Sequence, residues 1–171
     1  MFDQLMVYHK LIKEIHNRCD VDVDEDFFYL GGGMSNKPRY NYPRFDEVLK
    51  ILQGNGYSVV SPAHLDTPED LDIILASEDG KDPRIAEKYN HFLARDLTIC
   101  AMDHCKGGIF LERYTESPGA TAESELLYTL GKDVYEYAMG PMDLPSLTLI
   151  PKSMKQRERV FYNKANRHVY S

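Results

Sequence analysis

The stretch Ser117-Pro118-Gly119-Ala120-Thr121-Ala122-Glu123 holds the residue types best suited to chemistry. A glycine at the mouth of a helix lets a ligand approach the backbone. The amides of the first turn, together with the helix dipole, favour an anion there. Ser117 adds a hydroxyl donor. One turn further in, Glu123 points toward the same rim, where a carboxylate beside a sugar can attack the anomeric carbon and hold a covalent glycosyl intermediate. Glu125 lies roughly 200° around the helix and cannot share that role. The same residue types also describe an ordinary capped helix start, with serine at the N-cap and an early acid.

The bulk properties narrow the setting. At 171 residues the chain is long enough for one well-cored domain. Its 43% hydrophobic and 27% charged residues are those of an ordinary globular protein. No run approaches the length of a membrane helix, and residues 1–4 lack the basic start of a signal peptide, so a cytoplasmic location is expected. The net charge of −7 disfavours a nucleic-acid polymer as partner, while a small anionic ligand stays open. The one basic stretch covers residues 152–167. The three cysteines, Cys19, Cys100 and Cys105, form no CxxC pair, which argues against a disulfide framework or zinc ribbon.

The elements that must position the stretch follow from periodicity. Residues 2–19 read as an amphipathic helix, with Leu5, Tyr8, Ile12, Ile15 and Cys19 at three- and four-residue steps. An acidic linker, 20–26, leads to the apolar run Phe27-Phe28-Tyr29-Leu30 and then to three glycines, as a buried strand and its turn would. Phe45, Val48, Leu49 and Leu52 carry a helix opened by Pro43, and residues 57–60 give a second strand. Residues 61–82 look loop-like apart from the apolar piece 71–75, and a helix is expected over 83–102. A third strand at 107–111, a helix at 121–130, a fourth strand at 133–137 and a possible fifth at 147–150 complete an α/β domain. The expected sheet is mostly parallel, with about five strands. Its ligands bind beyond the carboxyl ends of the strands, which puts residues 31–35 and 112–120 on one rim. The organisation is an N-terminal helix and linker (1–24), the domain (25–150) and a basic tail (151–171).

Six pieces occur in order: Tyr29-Leu30-Gly31-Gly32-Gly33-Met34-Ser35, Asn41-Tyr42-Pro43-Arg44-Phe45, residues 56–62, Arg95-Asp96-Leu97, residues 117–123, and Leu130-Gly131-Lys132. This ordered set resembles the nucleoside 2-deoxyribosyltransferase-like superfamily, and within it a small phage and bacterial branch of unknown function. The resemblance implies a Rossmann-like, doubly wound sheet. It also implies cleavage of an N-glycosidic bond in a nucleoside or nucleotide, by hydrolysis or by deoxyribosyl transfer, with no cofactor or metal. Glu123 matches the nucleophile and Asp96 the acid that assists the leaving base. Tyr29 matches the tyrosine that orients the nucleophile. In relatives acting on 5'-monophosphates the S-x-G element binds phosphate; here Ser117 and Gly119 would do so, with Gly32, Gly33 and Ser35 closing the other side. Arg39 or Arg44 would add a charged contact. A homodimer or larger homo-oligomer is implied, and tail residues such as Tyr162, Asn163 or Tyr170 would reach a neighbouring site or simply dock. The chain departs from the branch pattern at Gly33, where proline is usual, at Lys106, where aspartate is frequent, and in having no tryptophan.

The alternative is a non-catalytic nucleotide-binding module that senses or sequesters its ligand. Other candidates carry less. The acidic run 20–26 imitates a calcium loop without its glycine and closing glutamate. Asp103-His104-Cys105 are adjacent residues that rarely converge on one metal. His64 reads as a surface residue that could line a pocket, and Met139, Met142 and Met154 as packing residues.

Overall fold

The computed structural model describes residues 2–152, with the side chains of residues 3–152. Met154 and the tail positions Tyr162, Asn163 and Tyr170 lie outside the described residues. Helix α1 spans Phe2–Cys19. Leu11, Ile15 and Cys19, at four-residue steps, are its buried stripe. Asp20, in the left-handed region at φ 54°, ends it.

Five strands form one sheet: β1 (Phe27–Gly31), β2 (Val59–Val60), β3 (Cys105–Phe110), β4 (Asp133–Met139) and β5 (Pro145–Leu149). Their order is β2-β1-β3-β4-β5. The first four are parallel, and β5 runs antiparallel along β4. The fold is the α/β, mostly parallel sheet expected from periodicity. Helix α2 (Tyr42–Gly54) links β1 to β2, and α6 (Pro118–Thr129) links β3 to β4. Between β2 and β3 lie α3 (Pro68–Ala76), α4 (Pro83–Ala86) and α5 (Tyr89–Ala101).

Two expectations need correction. The segment 61–82, read as loop, holds a 3₁₀ turn at Pro62–Leu65 and the helix α3. The hydroxyl of Thr67 caps α3 by accepting from the Asp70 amide, Pro68 fills the first position, and Glu69 and Asp70 complement the dipole. Acidic residues that look like loop composition are here a helix start. The single helix expected over 83–102 is broken after Ala86, where Lys88 leaves helical geometry and a second helix begins at Tyr89. Met142 and Met139 are exposed rather than packed, Met142 at 89%.

Strand alternation divides the core. Phe27, Tyr29 and Phe110 face one layer, with α1, Ile99 and Cys100 of α5, and Leu127 of α6. Leu30 and Ile109 face the other, with Phe45, Val48, Leu49 and Leu52 of α2. Because β2 and β3 leave β1 on opposite sides, the strand order reverses between β1 and β3, and a crevice opens beyond their carboxyl ends. Close strand approach there depends on glycine: a Cβ on Gly107 would collide with the backbone carbonyl of Asp133 on the paired strand. Gly107→Ala should therefore lower stability by about 1–3 kcal/mol in urea denaturation. A change within error would mean that β3 and β4 pair less closely than described.

Candidate active site

The crevice holds a cavity of about 300 Å³, at the small end of the range for small-molecule sites. Asp96 from α5 and Glu123 from α6 both line it. Each stands on the inward stripe of its helix. Glu123 shares its face with Ala120, Ser124 and Leu127, and Asp96 shares its own with Ile99 and Cys100. Their exposures are 6% and 7%. Two acids far apart in sequence thus meet in one hollow.

Tyr29 joins them from below. Its hydroxyl donates to Glu123 Oε1 at 2.9 Å, and Asp96 lies close enough for its charge to act on the phenol. The ring is buried in the core from the middle of β1. Glu123 Oε2 has no hydrogen-bond partner among the described residues. It lies beside Gly31, where a Cβ would come within 3.1 Å of it and would strike the Phe110 ring. Glycine at 31 is thus what lets the carboxylate sit against the strand.

The electrostatics follow from burial. Glu123 is pushed well above the usual carboxylate range, first by desolvation and then by the charge of Asp96; the Tyr29 hydrogen bond and Arg95 oppose this. Asp96 is pushed up to about 6, again by burial first, with Arg95 opposing. Tyr29 is raised by burial and by both carboxylates, so it stays a neutral phenol. The pair therefore titrates as a unit that keeps one proton above about pH 6.

The phosphate-side residues fall partly into place. Ser117, Gly119, Gly32 and Ser35 line the cavity. Ser117 also caps α6, its Oγ accepting from the Ala120 amide at 3.3 Å. Gly33 is not among the lining residues; it packs behind them, where a Cβ would lie 3.5 Å from that of Ser117. Arg44 is turned away: Nη1 donates to Glu47 at 2.8 Å and Nε to Glu112 at 3.1 Å. Neither it nor Arg39 lines the cavity, whereas Lys81 does. His64 pairs with Asp46 at the surface.

Several lining residues carried no signal in the motif pattern. Asp66 and Tyr89 enter from the long connection between β2 and β3, as does Arg95, which the motif pieces held only as the neighbour of Asp96. The hydroxyl of Tyr89 overhangs the start of α6, 3.3 Å from where a Cβ on Gly119 would sit. The outer wall is made of two loops tied together: the Asn36 amide donates to the Gly80 carbonyl at 3.1 Å, and the Arg39 amide to that of Ser77 at 2.8 Å. Only the adjacency of Arg95 to Asp96 was visible beforehand. Among the described residues no cluster of three or more His, Cys, Asp or Glu is placed to hold a metal, and no helix is long and apolar enough to cross a membrane.

The family described as a domain of unknown function, DUF4406, matches residues 27–136. The chain belongs to that family. The DUF4406 match starts at β1 and ends within β4, so it contains Tyr29, Asp96 and Glu123 and leaves out α1 and β5. No curated protein and no solved structure matches the chain.

A buried acid whose folded-state pKa is raised contributes fully to stability below its unfolded value, near 4.5, and loses that contribution as pH rises. Glu123→Gln should therefore leave stability unchanged near pH 4 and raise it progressively, by about 1–3 kcal/mol at pH 8, because the unfolded wild type ionises there while the folded protein holds the acid back from doing so. Thermal unfolding of both proteins across that range checks this; a difference that does not vary with pH would show that Glu123 titrates normally.

Proposed function

We propose that this protein cleaves the N-glycosidic bond of a nucleoside or nucleoside 5'-monophosphate, with Glu123 as nucleophile and Asp96 as proton donor. The observation that carries the proposal is the convergence of these two buried acids on one cavity, with the Tyr29 hydroxyl donating to Glu123.

Loss of a base from a sugar passes through an oxocarbenium-like state, which a carboxylate at the anomeric carbon stabilises. The pair holds a single proton, and the reactive form carries it on Asp96 and leaves Glu123 ionised. Tyr29 favours that form, because its hydroxyl donates to Glu123 Oε1 and stabilises the carboxylate. Glu123 then bonds to C1' as the C1'–N bond breaks, and Asp96 gives its proton to the departing nitrogen. In hydrolysis water attacks C1', the ester bond to Glu123 breaks, and the water proton goes to Asp96. In transfer a second base takes the place of water.

The cavity fits a ligand with unlike ends. The acids, Arg95 and the helix start line one part, and Ile74, Ile85 and Phe92 supply apolar surface for a flat base. The mouth of α6, with Ser117 and Gly119, suits a 5'-phosphate, and Lys81 offers the cation foreseen at Arg39 or Arg44.

The test is a panel of deoxy- and ribonucleosides and their monophosphates, with and without an acceptor base, followed by chromatography of free base. Release should occur for at least one member, and Glu123→Ala should reduce it by at least ~10³-fold. Because the active pair carries one proton, kcat/KM should be bell-shaped, falling as pH drops through about 6, where the pair gains a second proton, and again in alkali as it loses its last. Binding without release across the whole panel would instead favour a module that senses or sequesters a nucleotide.

A further inference from the structure

Arg95 occupies the helix position just before Asp96, and its guanidinium is divided between two carboxylates. Nε donates to Asp96 Oδ1 at 2.9 Å, and Nη1 donates to Asp66 Oδ1 at 2.8 Å. Nη2 reaches the Pro62 carbonyl at 3.4 Å, and the guanidinium lies over the Phe92 ring, 5.4 Å from its centre. The side chain is 11% exposed, so the cation works in a medium where charge interactions are strong. Its two carboxylates outweigh the burial that would lower its pKa, and it remains charged.

The two acids are not treated alike. Asp66 accepts from Arg95 and from the Tyr42 hydroxyl, and Arg18 donates to its backbone carbonyl at 2.9 Å. Asp96 receives one N–H of Arg95, and it faces Glu123 and the Tyr29 hydroxyl that Glu123 engages. Asp66 is thus the better-satisfied anion.

We infer that Arg95 and Asp66 are positioning residues for Asp96: Asp66 draws off part of the guanidinium's charge, and Asp96 is left basic enough to accept and pass on a proton. A guanidinium given wholly to Asp96 would form a forked pair and hold it as a weakly basic carboxylate. A pocket without the guanidinium would bury Asp66, Asp96 and Glu123 with no cation among them, and Asp96 would keep its proton too tightly to give it up. The division of one cation between two acids avoids both extremes.

The groups that face Asp96 are Arg95 and Cys100 on α5, Tyr29 on β1, Glu123 on α6 and Asp66 after β2. Behind Asp66 stand Arg18 and Asp70, which act on it in opposite directions. Burial and Asp66 raise Asp96, while Arg95 and Tyr29 lower it. The two substitutions that test the idea thus have opposite signs.

The inference rests on the assignment of Asp96 as proton donor, but it is testable without turnover. The aspartate carboxyl carbons are followed by ¹³C NMR in the ligand-free protein, with the Asp96 signal identified by its loss in Asp96→Asn. Its wild-type midpoint should lie near 6. Asp66→Asn, which keeps the shape and an acceptor for Arg95, should lower that midpoint by about 1 pH unit. Arg95→Lys, which keeps the charge without the fork, should raise it. If either variant fails to fold, the other still decides. A midpoint that stays put, or that moves the same way in both, overturns the inference; a purely structural role would lower the melting temperature without these opposed shifts. Opposed shifts in a protein that releases no base would sink the N-glycosidase proposal and leave the charge division standing, whereas turnover with a fixed Asp96 midpoint would do the reverse. Where turnover is found, the acid limb of kcat/KM should follow the NMR midpoint in each variant.

Discussion

Glu123 and Asp96 stand where their helices would ordinarily place apolar side chains. On α6 the neighbours of Glu123 along the inward stripe are Ala120, Ser124 and Leu127; on α5 those of Asp96 are Ile99 and Cys100. Desolvation at these positions is the first cause of both raised pKa values. It disfavours a charge on either acid, and their closeness disfavours a charge on both. An arrangement of this kind costs stability and is held only because the sheet and the layers around it are well packed. Tyr29, buried in the sheet, bonded to Glu123 and close to Asp96, is the strut between the sheet and the site.

That strut constrains the strand ends. β1 must deliver a tyrosine into the layer that contains α5 and α6, then turn at once so that the chain clears the cavity. Alternation gives Tyr29 the correct face, and Gly31 removes the side chain that would occupy the place of Glu123. Gly32 follows against Leu111, whose side chain a Cβ would approach to 3.0 Å. The neighbouring strand is fitted in the same way, with Gly108 making room for Phe110 and Leu127. The reversal of strand order between β1 and β3 opens the crevice, and glycines decide how closely α6 can approach it.

The parts of this arrangement differ in how readable they were in the amino-acid chain. Strands β1, β3 and β4 and helices α1, α2 and α6 announced themselves because hydrophobic period, glycine stops and proline starts agreed. The motif pieces around Tyr29, Asp96 and Glu123 are local in sequence, so their juxtaposition followed once a parallel sheet was assumed. Helix α3 was hidden because its start, Thr67 to Asp70, is made of the same polar residues that compose loops; only the cap geometry separates the two. Arg44 was a reasonable anion partner by proximity in sequence, but Glu47 on the next turn and Glu112 across the sheet capture it. Asp66 was illegible for a different reason. It lies in no repeating pattern, and its meaning comes from Arg95, 29 residues away, through a contact only the tertiary fold creates.

The charge count of the cavity limits what it can bind. With the Glu123–Asp96 pair carrying one proton, Arg95 is balanced by Asp66, and one negative charge remains near the deep end. A neutral or cation-like centre is welcome there, and an anion is not. A phosphate must therefore lie away from the acids, and the mouth of α6 near Lys81 offers donors at the cavity edge. For the proposed nucleotide substrate, that orientation would leave the sugar between phosphate and acids and direct the base toward the apolar wall. In the proposed reaction the same residual charge would favour the transition state over the bound substrate, since positive charge develops at the anomeric carbon only as the bond breaks.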